Sequence, residues 1–217
     1  MINIKDPDNY FTDDGDMSIW DLFQRAARDW THDNYLGVRP PDQPVKWLSF
    51  GQAATIVDEF LIGLQDINFR VNKQSIEDGI ERTLPMCPEQ RYLNQEGVWR
   101  LMGIFSENRP EYVLVELACL SDSVVSVPIP TRAADYASVQ QQLDLTELRT
   151  LCVSKHTLPL IVDMQEDGYI NHLRTIICFD SDLEPELAEK VKAMKYIKFI
   201  TYDEILEKGR AILKEVQ

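Results

Sequence analysis

The sequence predicts an α/β fold in which alternating β-α units form a mostly parallel sheet with helices on both faces. Two observations predict this class. From Val98 onward, short apolar segments alternate five times with longer segments of helical periodicity. The short segments are apolar throughout, as strands covered on both faces are. With 217 residues and 44% hydrophobic content, the chain can bury one substantial core.

The first 17 residues are predicted to form an acidic arm that is extended or ordered only by a partner. Five aspartates stand there against the single Lys5. A calcium loop is the alternative for this arm. It is disfavoured because ligand spacing from Asp6 and Asp8 next reaches Tyr10, and no turn glycine or closing glutamate follows at the required offset.

Residues 18–217 are predicted to be a single domain that opens with two amphipathic helices. The first begins at a capping pattern, Ser18 to Asp21. Its apolar face comprises Trp20, Phe23, Ala26, Ala27 and Trp30. A proline-rich loop at 39–44 separates it from the second helix, whose apolar face comprises Ala53, Ile56, Val57, Phe60, Leu61 and Leu64. Residues 70–97 are polar and irregular, with one helical stretch at 74–83, and are predicted to be an insertion of the kind that often binds partners.

The alternating region follows the insertion. Strands are predicted at Val98–Phe105, Ser123–Ile129, Thr150–Val153, Leu173–Phe179 and Tyr196–Ile200. Helices are predicted at Pro110–Ser121, Asp135–Leu143, Thr157–Gln165, Glu184–Lys195 and Asp203–Val216.

The charge and cysteine content restrict the classes of partner and compartment. A net charge of -14 opposes binding to nucleic acid or anionic lipid, and it favours either a basic protein partner or solubility alone. Cys119, Cys152 and Cys178 lie in apolar segments and Cys87 in a loop, without metal-ligand spacing, which is typical of a reducing compartment. No transmembrane segment, signal peptide or transit peptide is predicted. We therefore expect an intracellular protein, cytoplasmic or mitochondrial and not secreted.

Asn108 to Glu111 is the sharpest local pattern. Asn108 is predicted to cap the helix that starts at Pro110, with Glu111 reaching back to the cap. An anion site at this helix N-terminus, beside Arg109, is the functional alternative.

The segment Gly103 to Tyr112, followed by Glu116 to Cys119 and Ser126 to Pro128, resembles the long-chain acyl-CoA synthetases of the adenylate-forming superfamily. Upstream, Tyr35 to Arg39 and Lys46 to Gln52 resemble further segments of that family, and Leu173 to Asp180 and Phe199 to Ile205 follow in order. The resemblance runs from about residue 18 to the end and implies the family's N-terminal subdomain.

In that family the ATP-binding loop, the adenine and ribose motifs and a C-terminal domain with a catalytic lysine follow this subdomain. The resemblance therefore implies a subdomain truncated before the ATP-binding loop, and the nine scattered glycines form no phosphate-binding loop. The sequence also departs from the family at 128–134, where Pro-Ile-Pro-Thr-Arg-Ala-Ala replaces a polar turn that contains glycine. This departure predicts a rebuilt loop.

No catalytic, cofactor-binding or metal-binding residue is predicted, and no cofactor is expected. His32, His156 and His172 are far apart in the sequence, and no nucleophile motif lies beside them. Ser154-Lys155-His156 follows a predicted strand, where α/β proteins bind ligands, but a solvated loop is the favoured interpretation.

Three functions remain as hypotheses. The first is a non-catalytic scaffold or accessory subunit that binds protein subunits through the arm 1–17, the insertion 70–97 and the surface left by the missing half. The alternative is a fragment or split half of an ATP-dependent long-chain fatty acid–CoA ligase. The third, ranked last, is a sensor that keeps an acyl or nucleotide pocket.

Overall fold

The computed structural model describes residues 18–40, 42–66, 101–122, 124–132 and 134–216. The predicted arm 1–17, the insertion 70–97 with its helical stretch, and Cys87 lie outside the described residues. The chain divides into two compact units, 1–54 and 55–217. The boundary lies inside a helix, and the single domain predicted for 18–217 stays a prediction.

The described helices are α1 Ile19–Asp29, α2 Phe50–Asp66, α3 Pro110–Ser121, α4 Tyr136–Thr146, α5 Leu158–Glu166, α6 Pro185–Ala193 and α7 Tyr202–Val216. The described strands are β1 Asn34–Val38, β2 Lys46–Ser49, β3 Leu101–Phe105, β4 Val125–Pro128, β5 Thr150–Val153, β6 Thr175–Cys178 and β7 Lys198–Thr201. None of these helices combines the length and apolar character that a membrane crossing requires.

The first unit contains α1 and an antiparallel hairpin of β1 and β2. The predicted cap of α1 is confirmed, because Ser18 and Asp21 form a reciprocal capping box. The hairpin was not predicted from the sequence. Its strands are only four or five residues long and mostly exposed, so they lack a continuous apolar run. Gly37 fits because a side chain there would collide with the ring of Trp47 on the opposite strand.

The second unit contains the predicted parallel sheet. Five strands lie in the order β4-β3-β5-β6-β7, and each neighbouring pair is parallel. The predicted fold class is therefore confirmed, and each predicted strand and helix of the alternating region overlaps an observed one.

Both faces of this sheet are covered by helices, as predicted. On one face, side chains of α4, α5 and α6 pack on Phe105, Leu151, Val153, Ile176 and Cys178. Met102, Ile104, Cys152 and Ile177 alternate with them in sequence and are fully buried on the opposite face. There Met102 contacts Cys119 of α3.

Helices α2 and α7 approach each other closely within the second unit. A side chain at Gly63 would collide with the carbonyl oxygen of Ile205, and one at Gly209 with that of Glu59. Arg210 Nε donates to Glu59 Oε2 at 2.8 Å, across the same contact. The two glycines are therefore needed for the helices to pack.

The parallel arrangement produces two unlike edges. We call the edge where the strands end the carboxyl edge, at Phe105, Pro128, Val153, Cys178 and Thr201. We call the edge where they begin the amino edge, at Leu101, Val125, Thr150, Thr175 and Lys198.

Candidate functional site

The carboxyl edge is the candidate site because three neighbouring strands deliver polar side chains to it. Glu107 and Arg109 follow β3, Ser154 and Lys155 follow β5, and Asp180 follows β6. Since β5 lies between β3 and β6, these loops are adjacent although their residues are far apart in sequence. Ligands favour this edge of parallel sheets.

Arg109 is the centre of the cluster. Its Nη1 atom lies 3.0 Å from Asp180 Oδ1 and 2.9 Å from Asp180 Oδ2, and its Nε atom donates to Glu111 Oε2 at 2.8 Å. The guanidinium also lies over the ring of Phe179, with Cζ 5.4 Å from the centroid. Arg109 therefore joins the loop after β3 to the loop after β6.

These contacts bear on the anion site that was the functional alternative at this helix N-terminus. Burial acts to lower the pKa of Arg109, but the hydrogen bonds and negative charges of Glu111 and Asp180 outweigh it and raise the pKa. The cation is already neutralised by two carboxylates of its own chain, so the helix N-terminus beside it is not an electropositive site for an anion.

The predicted Asn108 cap is wrong. Arg109 occupies the N-cap position of α3 in an extended conformation, and no side chain caps this end of the helix. Glu111 does not reach back to a cap amide, because its carboxylate accepts from the Arg109 side chain. The predicted Pro110 position in the first turn is confirmed.

The solvated loop predicted at Ser154 is also wrong. Ser154 is fully buried, and its Oγ donates to Glu107 Oε2 at 2.7 Å. Its amide donates to Thr157 Oγ1 at 3.1 Å, and the same Thr157 hydroxyl donates to the Phe105 carbonyl at 2.5 Å. This chain of hydrogen bonds ties the end of β3 to the start of α5.

Lys155 and His156 are less buried than Ser154. The Lys155 amide donates to Asp180 Oδ2 at 2.8 Å, and its Nζ atom binds Asp182 Oδ2 at 2.7 Å. The hydrogen bond to Asp182 raises the pKa of Lys155, and the same bond lowers the pKa of Asp182. His156 is exposed, as a solvated loop would have it. His32 is exposed as well, and His172 is half-buried.

Two buried acidic groups lie near this edge, one of them missed from the sequence. The expected apolar setting of Cys119, Cys152 and Cys178 is confirmed, and burial raises the pKa of Cys178 to about 11. The Tyr202 hydroxyl, which was not singled out, is buried without a hydrogen-bond partner in the described part of the chain. Burial raises its pKa as well. In the sequence, the only indication of this buried hydroxyl is that a tyrosine stands close after the end of a predicted strand.

Apart from the buried Tyr202 hydroxyl, the polar groups described above at this edge bind one another. Arg109 and Lys155 are paired with carboxylates, and the buried hydroxyls of Ser154 and Thr157 are hydrogen-bonded. Among the described residues, no three His, Cys, Asp or Glu side chains are placed to hold a metal ion. The described cluster holds the loops after β3, β5 and β6 together.

Comparisons with known proteins agree with the fold. No protein-family model matches the chain. Over 194 residues it is 28% identical to a long-chain-fatty-acid–CoA ligase 1 of Cavia porcellus, a match that covers 88% of this chain and 24% of the ligase. Over 179 residues it is 28% identical to a long-chain-fatty-acid–CoA ligase 5 of Mus musculus, a match that covers 80% of this chain and 22% of that ligase. The chain thus spans about a quarter of the length of these curated relatives.

Solved structures point to the same fold. The adenylation and carrier didomain of a carboxylic acid reductase from Segniliparus rugosus matches with a TM-score of 0.62 at 13% identity, covering 90% of this chain and 27% of that one. An anthranilate–CoA ligase in complex with anthranoyl-AMP matches with a TM-score of 0.59 at 14% identity, and the match covers 89% of this chain and 29% of that ligase. The expected resemblance to the N-terminal subdomain of acyl-CoA synthetases is confirmed.

Proposed function

We propose that this chain is the N-terminal part of an ATP-dependent long-chain fatty acid–CoA ligase, as a fragment of a longer polypeptide or one half of a split enzyme. Such an enzyme forms an acyl-adenylate with ATP and Mg²⁺ and then a CoA thioester. One observation carries the proposal: the similarity to long-chain ligases extends over 88% of the chain. The parallel sheet with an adenylation-domain fold supports it.

In this proposal the described residues provide a scaffold, and the nucleotide-binding remainder supplies the chemistry. The carboxyl-edge cluster supports such a role because its cations are neutralised internally. A rigid edge of this kind can position neighbouring parts of a ligase without contacting the reacting atoms.

A non-catalytic accessory subunit derived from such a ligase is the second candidate. The departure at 128–134 favours it, since a Pro-Ile-Pro sequence stands where the family has a polar turn with glycine. Ile129 in this loop is 3% exposed, so the altered sequence also packs into the core. This candidate predicts no ATP turnover and a stable association with other chains, and its compartment, cytoplasmic or mitochondrial, stays a prediction.

The two candidates are separated by the endogenous protein itself. It should be purified through a tag placed at its own gene, its intact mass and co-purifying chains identified, and its conversion of palmitate, ATP and CoA to palmitoyl-CoA measured. The same preparation without ATP is the control, because adenylation requires it.

We expect peptides of this chain to accompany a Ser/Thr/Gly-rich nucleotide loop, in the same polypeptide or a bound chain, together with ATP-dependent thioester formation. A 217-residue chain in an assembly whose subunits all lack such a loop, with no exchange of pyrophosphate into ATP, would contradict the ligase and support the accessory subunit.

A further inference from the structure

The hairpin of β1 and β2 in the first unit exposes apolar side chains on both of its faces. Its register places Gly37 opposite Trp47 and Val38 opposite Lys46. Because successive residues of a strand point to opposite faces, Val38 and Trp47 lie on different sides of the hairpin. Val38 is 42% exposed and Trp47 is 54% exposed. Each face therefore presents a large apolar side chain to solvent.

The rest of the hairpin is also apolar on both sides. Leu36 and Leu48 are half-buried partners on the same face as Val38. On the other face the ring of Trp47 lies against Gly37. An antiparallel sheet with one solvated face alternates apolar and polar residues, and this hairpin does not. Its pattern is that of a sheet covered on both sides.

Each strand of the hairpin has an outer edge that no other strand pairs with in the described part of the chain. The outer edge of β2 carries Lys46, and lysine is a common protection of exposed edges. The strand β1 carries no charged side chain, although Asp33 precedes it and Arg39 follows it. Sheets of two strands are marginally stable in water, and further strands or a packed helix stabilise them. The edge of β1 is therefore the better site for a third strand.

We propose that in the complete ligase a β-strand from the nucleotide-binding remainder pairs with the free edge of β1, and that this remainder covers both faces of the enlarged sheet. This inference rests on the proposed function. The match to a long-chain ligase covers 24% of that protein, so about three quarters of such an enzyme lies outside this chain. A strand supplies both the donors and the acceptors that a sheet edge requires, as in other cases of strand addition.

Other occupants fit the hairpin less well. A peptide or a bilayer bound to one face would leave either Val38 or Trp47 in solvent. Charge does not select the occupant either, because the two anions and two cations nearest the hairpin in sequence balance. They are Asp33, Arg39, Asp42 and Lys46.

Hydrogen exchange of the full-length endogenous protein tests whether a third strand pairs with β1. In a two-stranded sheet the amides of β1 alternate in direction, so about half of them point away from β2. At single-residue resolution, we expect every amide of 34–38 to exchange at least about a hundredfold more slowly than in an unstructured peptide of the same sequence. Alternate amides that exchange at the rate of the unstructured peptide would overturn the proposal.

Photo-crosslinking identifies the strand. Val38 of the full-length protein is replaced in cells by benzoylphenylalanine, and the crosslinked peptide is sequenced. The same photoreactive residue at Gln24, which is exposed on α1 of the same unit, is the control. We expect an adduct from position 38 to a segment of alternating apolar residues in the part that carries the Ser/Thr/Gly-rich nucleotide loop. Adducts to 1–17, to 67–100, to a second copy or to a chain without such a loop would overturn the proposal, as would none above the Gln24 control.

The outcomes separate this proposal from the proposed function. A protein that forms palmitoyl-CoA but leaves the outward amides of β1 unprotected would overturn the third strand and leave the ligase intact. An endogenous protein without any nucleotide loop, in its own polypeptide or in a bound chain, would contradict the proposed function and with it the occupant assigned here.

Discussion

The two edges of the parallel sheet differ in how their polar and apolar groups are satisfied. At the carboxyl edge, Arg109 and Lys155 are paired with carboxylates. The buried Ser154 hydroxyl donates a hydrogen bond to Glu107. At the amino edge, Arg149 and Arg174 have no described ion pair, and five large apolar side chains are exposed. The charged groups of the carboxyl edge are paired within the described chain, whereas Arg149 and Arg174 at the amino edge are not.

This difference shows that position on a sheet does not by itself identify a functional surface. Parallel sheets commonly bind ligands at the carboxyl edge. In this chain the described charged side chains there bind one another. Among the described residues, the buried Tyr202 hydroxyl beside this edge has no hydrogen-bond partner, so an unpaired group does not by itself identify an interaction surface either.

The largest expected effect comes from Arg109→Met. The variant leaves Asp180, whose side chain is 13% exposed, and Glu111 without their cation. We expect unfolding to become easier by about 2–3 kcal/mol, because breaking a largely buried pair leaves an uncompensated charge. Urea unfolding measures this. The double variant with Asp180→Leu should recover part of the loss, and a single-variant cost below about 1 kcal/mol would mean that Arg109 does not hold this edge together.

Alkaline pH should weaken the carboxyl edge through Cys178. Burial raises its pKa to about 11 from an ordinary value of 9.0, so the unfolded chain ionises this thiol first. The contribution is fully present below pH 9 and is lost as the pH rises toward 11, by about 2 kcal/mol. Urea unfolding at pH 8 and at pH 10.5 measures the loss. Cys178→Ala should show a smaller decline, and equal declines would contradict the assignment.

Thr157→Val tests the hydrogen bonds that tie β3 to α5. The variant keeps the shape but leaves the Phe105 carbonyl and the Ser154 amide without their side-chain partner. We expect a loss of about 1–2 kcal/mol in the free energy of unfolding. Thr157→Ser keeps the hydroxyl and is the matched control. A loss below about 0.5 kcal/mol in Thr157→Val would mean that these hydrogen bonds do not hold β3 to α5.

The smallest effect is expected at the amino edge. Leu145→Gln and Tyr196→Ser should each change the free energy of unfolding by no more than about 0.5 kcal/mol, because these side chains are 51% and 82% exposed. Thermal melting of the two variants checks this. A cost above about 1 kcal/mol would show that the chain itself packs against this edge.

Most of the fold was predictable from local patterns. Segments such as Thr150–Val153, apolar at every position, predict buried parallel strands wherever they occur. The hairpin of β1 and β2 was missed because Asn34 to Val38 is short and only partly buried. Its close approach to the Trp47 ring at Gly37 comes from the opposite strand, so no local pattern reveals it.

The candidate site was predictable only in part, because it depends on strand order. Arg109 and Asp180 are 71 residues apart in the sequence. They meet because only β5 lies between β3 and β6 in the sheet, which brings the loops after these two strands close together. The local pattern around Asn108 suggested a helix cap, but the distant carboxylate determined where the Arg109 side chain points. Ser154 appeared solvated in sequence for the same reason, since Glu107 lies 47 residues away.

The close packing of α2 against α7 has a consequence for synthesis of the chain on the ribosome. Phe60 of α2 is 1% exposed and packs against Tyr202 of α7, with the rings tilted by 31° and their centroids 5.1 Å apart. At a translation rate of 5–20 residues per second, α7 follows α2 by on the order of 10 s. Throughout that interval Phe60 lacks its final cover, so the nascent chain has an apolar helix for chaperones to bind until its last described helix emerges.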